Sequence, residues 1–542
     1  MTDVSPAHKS GPAGQRVLST VPAVVILLLF AASLVLLRTF PLYVDEPQWK
    51  LIISGLFNDN FVMRYFWPAC SAGYALPVPV TWIIPRAIDS LLYGDASNFW
   101  IIRPIGIATG VGILGSIALI FHRMASPGIG LLGSATVTVA LCSFGVIVPL
   151  LVMNRPEQSL LVPFMAMTLI YAFCRSDNRT VSLTTSFVWC VVFSLLTSMM
   201  LAQHIKSFVL LPAAALAGFV VIRRTWPSVL YLGVSLFAFF ETYWVWAKRT
   251  DCPELPLLQE TFNQLSISPR LLITSPAEFV NMALHNISVS WAYLWDGFLA
   301  SDYRSNWLPN FQNNAFLENF SNAMLLMATV LLVGFSAWSA YRVVQSPGGV
   351  AQKLRSPSLL GLAILLGSAL LLPYQTTKNF YETALIWPLL VLAFALCGER
   401  FASLVPRIPR TTVVAASVAV MVCQAALLIA LQGYQGEWQQ RQASDTVALA
   451  DARQVGQACG LKRDRSQTGL VVDNTAHRAF WMTDKPVLAD YVIAPWVRGL
   501  DINAAAKAWP IKAIVAQCQA LPEEYRTAAK RSADGLYCCA QL

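Results

Sequence analysis

Four short stretches of this 542-residue chain hold residue types that could do chemistry together. Asp45 and Glu46 form an acidic pair just after the first apolar run. A carboxylate placed there can take a proton from an incoming hydroxyl. The other three stretches are Asn154-Arg155-Pro156-Glu157, Gln203-His204-Ile205-Lys206 and Lys378-Asn379-Phe380-Tyr381-Glu382. They put cations into loops that should be poor in positive charge if the apolar runs around them span a membrane. Basic groups converging at one membrane depth suit a phosphate held at head-group level. Each residue also has an ordinary structural role open to it. Asp45 is a good N-cap, Glu46 suits the positive end of a helix, and Pro47 is acceptable in a first turn. Each cation can snorkel or pair with Glu157 or Glu382. Three exceptions to one charge rule, at one level, favour a shared role.

The elements that must position these groups follow from composition. The chain is 56% hydrophobic and only 12% charged, where globular proteins run near a quarter charged. Its apolar stretches have the length that crosses a bilayer, about 20 residues. They occupy 17–37, 98–121, 129–152, 158–174, 184–202, 207–222, 228–246, 322–341, 358–373, 383–398 and 411–432. The expected fold is therefore an α-helical polytopic membrane protein with about eleven transmembrane helices. The first run is too long, and too closely followed by others, for a cleaved signal peptide. Lys9, Arg16, Arg123, Arg175, Arg179, Arg223, Arg224, Arg342, Lys353, Arg355, Arg400, Arg407 and Arg410 fall in every second loop. This puts the amino terminus in the cytoplasm and the segments 38–96, 247–320 and 433–542 outside. The segment from Tyr43 to Phe57 reads as an amphipathic helix at the outer interface.

Residues 1–432 thus form a transmembrane module with outer loops 38–96 and 247–320. Residues 433–542 gain Asp, Glu, Lys and Gln and read as a small C-terminal α/β domain, periplasmic in a bacterium, joined by the polar stretch Gln432–Gln442. Asp445–Cys459 and Pro522–Arg531 have helical spacing, Gly469–Val472 and Ile511–Ala516 are β-branched runs, and Gly535–Cys539 reads as an edge strand. Of eleven cysteines, those in the tail lie on the oxidising side, and Cys518 pairing with Cys538 or Cys539 is expected.

The net charge of +9 is scattered over loops, which fits lipid head groups and not nucleic acid. No Gly-rich phosphate loop, G-x-S-x-G elbow, H-E-x-x-H helix or D-x-D pair is present, so a soluble nucleotide-sugar enzyme is disfavoured. A donor would be a membrane lipid. With these residues in view, the chain resembles the GT-C superfamily of polyprenyl-phosphate-sugar-dependent glycosyltransferases, in the style of the lipid A aminoarabinose transferases and protein O-mannosyltransferases. Asp45-Glu46 is similar to the acidic pair of that family's first outer loop. Leu76-Pro77-Val78-Pro79-Val80-Thr81-Trp82, then Leu92-Tyr93-Gly94 and Arg103-Pro104, resemble its proline-aromatic-glycine-arginine run. Arg155-Pro156-Glu157 resembles its Arg-Pro-acid element.

The resemblance implies an inverting transfer from a polyprenyl-phosphate sugar donor to a membrane lipid or glycan acceptor at a bacterial inner membrane. In it Asp45, with Glu46, supplies the catalytic carboxylate, and Arg155, His204, Lys206, Lys378 and Tyr381 hold the donor phosphate. No cofactor is fixed by it: some relatives use a divalent cation and others do not, and Asp45, Glu46, Glu157 and Glu382 are the carboxylates that would ligate one. Two departures touch the donor: Trp49-Lys50 follow the acidic pair, and Leu76 precedes Pro77, where the family often has basic residues. The second reading is a lipid-linked sugar transporter or flippase, which should show repeated halves and mid-membrane charges. Neither pattern is clear in this sequence.

Overall fold

The structure is a computed structural model. It describes residues 13–40, 60–65, 75–93, 101–125, 129–143, 147–175, 181–254, 266–268, 271–292, 315–376, 381–404, 409–460, 468–471, 487–490, 511–519, 521 and 523–541, with single positions between them, Glu46, Leu56 and Cys70 included.

Among the described residues nine helices are long and apolar enough to cross a membrane. They are Thr20–Thr39, Ile102–Ala125, Pro156–Cys174, Leu183–Gln203, Ile205–Ile222, Thr225–Arg249, Ala323–Gln345, Pro357–Tyr374 and Thr411–Ser444. Leu385–Leu396 and Gly398–Leu404 meet at a bend of 59° and make a tenth when counted together as one span. Gly398 packs so closely on Met124 and Ala125 that a Cβ there would collide with them. The remaining expected run, 129–152, is split into Gly130–Cys142 and Ile147–Val152. Ser143, Gly145 and Pro149 put weak helix formers into its middle. The expected amphipathic helix after Tyr43 lies outside the described residues except for Glu46, Leu56 and Phe57.

The basic loops do gather at one end of the bundle. Arg223 donates to the Cys174 carbonyl and Arg224 to Val181 O at 3.1 and 3.2 Å. Arg175 pairs with Glu399, Tyr171 donates to Arg355 O at 2.9 Å, and Arg123 stacks 5.8 Å over the Phe173 ring. At the opposite end Thr39 donates to Gln435 Oε1 at 2.9 Å, Ile267 N–H to Tyr374 O at 3.0 Å, and a disulfide joins Cys70 to Cys252. For Arg123, Arg175, Arg223, Arg224 and Arg355 the alternation of loop charge along the sequence is thus a division in space.

That second end carries a short hairpin, β1 (Val62–Arg64) antiparallel to β2 (Ala75–Pro77), followed by a 3-10 turn and the helix Ile83–Tyr93. Glu241, inside the Thr225–Arg249 span, accepts the Val80 and Thr81 N–H groups at 3.0 Å each, so a membrane carboxylate holds the start of this loop helix. The helix is inverted relative to a soluble one. Arg86, Asp89, Ser90 and Tyr93 face inward, while Ile84, Leu91 and Leu92 are exposed, as expected for a helix lying at a lipid surface.

The tail is continuous with the last span. One 49-residue helix, Arg410–Ala458, runs for about 74 Å at 1.5 Å per residue, more than twice the ~30 Å hydrocarbon layer. The polar stretch Gln432–Gln442 is therefore helical and is seated by Trp438, which packs edge-on to Phe40 at 5.2 Å. Beyond it lie β3 (Thr468–Val471), β4 (Val487–Asp490), β5 (Ile511–Gln517), β6 (Lys530–Arg531) and β7 (Tyr537–Gln541). Their order is β4-β3-β5-β7-β6, parallel among the first three and antiparallel after them. The strand expected at an edge, β7, is internal, and among the described residues of the expected helix 522–531 only Glu523–Arg526 is helical. Cys518 pairs with Cys538, and Cys459 with Cys539, which pins the long helix to the sheet.

Candidate functional site

Two helix starts build the centre of the site. Arg155 is extended and precedes Pro156 at the first position of its helix, so Glu157 falls in the first turn. His204 is likewise extended and caps the 3-10 helix Ile205–Leu210, its Nδ1 accepting the Lys206 N–H at 3.1 Å. The two turns meet through Glu157. Its Oε2 lies 3.2 Å from Arg155 Nε and its Oε1 3.2 Å from Lys206 Nζ. Glu157 is 1% exposed and the two cations 5% and 8%. Burial holds the His204 imidazole down at about 3, against the upward pull of Glu157, so it is neutral at ordinary pH. Among the described residues two cations meet one carboxylate, at the helix start opened by Pro156. Such a cluster is costly in an apolar bundle unless something uses it.

A second buried pair fixes the first outer loop. Glu46 Oε2 lies 2.9 Å from Arg103 Nη2, and its Oε1 accepts the Asn154 N–H at 2.8 Å. Arg103 also donates to Val152 O at 2.8 Å, and Asn154 bonds the Tyr93 hydroxyl at 2.9 Å. Gly106 and Gly110 allow this: a Cβ at either would strike the Val152 or Leu151 carbonyl. The helix carrying Arg103 thereby approaches the turn carrying Asn154 and Arg155. Glu46 is fully buried and both its oxygens are committed. It ties the segment of Asp45 to the turn of Arg155.

Beside the cluster lies a pocket lined by Tyr65, Trp82, Arg86, Gln203, His204 and Arg249, among others. Arg86 pairs with Asp89 at 3.0 Å and stacks 4.9 Å over Trp82. Arg249 stacks over both Tyr65 and Trp246, at 5.3 and 5.2 Å. Burial raises the Tyr65 phenol above its usual range, opposed by Arg249 and Arg86, so it stays a neutral hydroxyl.

Of the residues singled out in the sequence, Arg155, His204 and Lys206 come together, and Glu46 is anchored nearby by Asn154. Asp45 and Lys378 lie outside the described residues. Tyr381 opens the helix Tyr381–Leu396, which packs against the Pro156–Ser159 turn. Sequence reasoning missed Arg86 and Arg249. For Arg249 the signal was present: Lys248-Arg249 ends a span at the end where basic residues should be scarce, a fourth exception to the same charge rule. Among the described residues no group of three His, Cys, Asp or Glu side chains could hold a metal ion.

No protein-family model matches the chain, and no curated protein matches it. Among the solved structures similar to it are two that match over nearly their whole length. The ArnT of Cupriavidus metallidurans bound to undecaprenyl phosphate has a TM-score of 0.40 and 15% identity, covering 98% of each chain. The apo form of the same protein has a TM-score of 0.40 and 14% identity, covering 97% of this chain and 98% of that one. At that distance the likeness gives no residue-by-residue correspondence and leaves the chemistry to be argued from the site.

Proposed function

We propose that the chain is a membrane glycosyltransferase that moves a sugar from a polyprenyl-phosphate donor to an envelope acceptor: lipid A, lipopolysaccharide, another surface glycan or a protein. The observation that carries this reading is the buried Arg155–Glu157–Lys206 cluster where two apolar helices begin, a place that would suit a lipid phosphate. In the reaction an acceptor hydroxyl oxygen attacks the anomeric carbon from the face opposite the phosphate. The carbon–oxygen bond to the phosphate breaks, its electron pair leaves on the phosphate, and Asp45 takes the hydroxyl proton. Arg155 and Lys206 stabilise the charge that develops on the leaving group, the largest contribution usual in such sites. Lys378 and Tyr381 complete the phosphate's surroundings, and Glu46 positions Asp45 through Arg103 and Asn154.

The working face is the outer one, with the amino terminus cytoplasmic and the tail periplasmic. Support comes from the disulfides: Cys70–Cys252 and both tail pairs belong to the site end, whereas the free cysteines Cys142, Cys174, Cys190 and Cys423 lie in the apolar helices and Cys397 at the bend between two of them. Cysteine labelling tests the orientation. An impermeant reagent applied to intact cells should reach Asp251→Cys and not Arg355→Cys; the reverse overturns it. The activity is tested in proteoliposomes holding a polyprenyl-phosphate sugar and an envelope-lipid extract. The reading expects free polyprenyl phosphate to appear together with a glycosylated acceptor. Movement of intact donor to the other leaflet, with no bond cleaved, would replace it by transport.

A further inference from the structure

The long tail helix reaches the site through one side chain. Glu437, Gln439 and Gln440 are exposed on it, yet Trp438 among them is only 2% exposed. A tryptophan that merely anchored a span at the interface would present its ring to the head groups. Trp438 instead meets the fully buried Phe40 edge-on, with ring centres 5.2 Å apart. Arg103 Cζ lies 5.4 Å from the centre of that same Phe40 ring, within reach of a cation–π contact. Arg103 in turn holds Glu46 at 2.9 Å. Three residues before Trp438, Gln435 spends its amide on the end of the first span: its Nε2 donates to Leu36 O, and its Oε1 accepts from Thr39 at 2.9 Å. The tail helix therefore grips the chain immediately before Phe40. Phe40 and Glu46 both lie against the Arg103 guanidinium, and Asp45 falls in the short segment between these two fixed points. A segment held at both ends has few conformations left to lose when its carboxylate is aimed at a substrate. Contacts that share one guanidinium are coupled, so a change at the Phe40 ring is felt at Glu46.

We propose that Trp438 is a positioning residue for the acidic pair: through Phe40 and Arg103 it sets where Glu46, and with it Asp45, is held, so that the site is incomplete without the tail helix. The catalytic part of this inference rests on the transferase reading, whereas the hold on Glu46 does not.

The test compares the full chain in nanodiscs as wild type, Trp438→Leu, Trp438→Phe and Leu431→Ala. Leu431 is another buried residue of the same helix, so its truncation loosens the helix without touching Phe40. Two readouts are taken. The first is release of free polyprenyl phosphate from a polyprenyl-phosphate sugar, resolved into kcat and KM. The second is hydrogen exchange at the Asn154 amide, which donates to Glu46 Oε1 at 2.8 Å and reports the position of Glu46 whether or not the protein turns over. Trp438→Leu should lower kcat about 10²-fold, the usual cost of a reacting group held about 1 Å out of place, with KM for the donor unchanged. It should also speed Asn154 exchange about tenfold or more, as expected when a hydrogen bond to a charged group is lost. Trp438→Phe keeps an aromatic edge and should restore most of both, and Leu431→Ala should change neither. Wild-type kcat or wild-type exchange in Trp438→Leu overturns the proposal, as does an equal fall in kcat with Leu431→Ala, which would make Trp438 a fastening only. If Trp438→Leu does not fold, Trp438→Met, which keeps more of the packed volume, is judged by the same outcomes. Should wild type release no polyprenyl phosphate, the transferase reading falls by itself, and Asn154 exchange alone decides whether Trp438 holds Glu46.

Discussion

The two ends of the helix bundle use positive charge in opposite ways. At the end of Arg175, Arg223, Arg224 and Lys353, cations reach the carbonyls that finish helices or meet a half-exposed partner. Lys353 donates to Val344 O at 2.7 Å, and Glu399, paired with Arg175, is 54% exposed. Such contacts are wet, replaceable, and worth little individually. At the other end Arg103, Arg155 and Lys206 are buried and bound to carboxylates that are themselves buried. The cations at the first end are solvated where they lie; those at the second are kept dry. Burial, more than charge count, therefore separates the two ends.

The most severe way to break this comparison is at Asp45. Asn is about as good an N-cap as Asp, so Asp45→Asn should keep yield and folding in detergent while lowering turnover by about 10²–10⁴, the usual worth of a general base. Nearly normal turnover would reduce Asp45 to a cap. Next is Lys206→Gln, for which loss of one electrostatic contact to the leaving phosphate predicts a fall of about 10²–10³ in kcat. The matching change at the far end, Arg224→Gln, should leave turnover unchanged and stability within about 0.5 kcal/mol.

The Glu46–Arg103 pair sharpens the comparison on stability. Removing one partner of a buried pair costs about 3–5 kcal/mol, so Arg103→Met should lower the detergent melting temperature markedly, whereas Arg175→Met should barely move it. Equal shifts would mean that burial does not separate the two ends. The smallest effect concerns pH. Because the His204 pKa is lowered to about 3, from an unfolded value near 6.5, the unfolded chain binds a proton that the folded chain refuses between those limits. Its contribution to stability is thus constant above about pH 6.5 and falls below it, by up to about 1.4 kcal/mol per pH unit. His204→Gln should flatten that part of the profile; an unchanged slope would assign it to other groups.

The spans were legible because an apolar run of bilayer length rarely serves any purpose but crossing a membrane, and Arg155, His204 and Lys206 stood out because they broke the charge rule of those spans. Their meeting point was not legible. That Glu157 joins two turns 49 residues apart depends on helix packing, which Gly106 and Gly110 permit but no local pattern announces. Arg86 was hidden for a different reason. Its helix has an ordinary amphipathic pattern, and only the membrane setting shows that the polar face points inward. The Cys70–Cys252 link, across 182 residues, has no sequence signature at all.

The central claim is that the dry cluster, and not the wet one, holds the donor's phosphate. Purified wild type, Lys206→Gln and Arg224→Gln, each given a polyprenyl-phosphate sugar and an envelope-lipid acceptor, test it through the release of free polyprenyl phosphate measured by mass spectrometry. The account predicts release with wild type and Arg224→Gln and a loss of about 10²-fold or more with Lys206→Gln. Release by Lys206→Gln at the wild-type rate, with the protein folded, would contradict it.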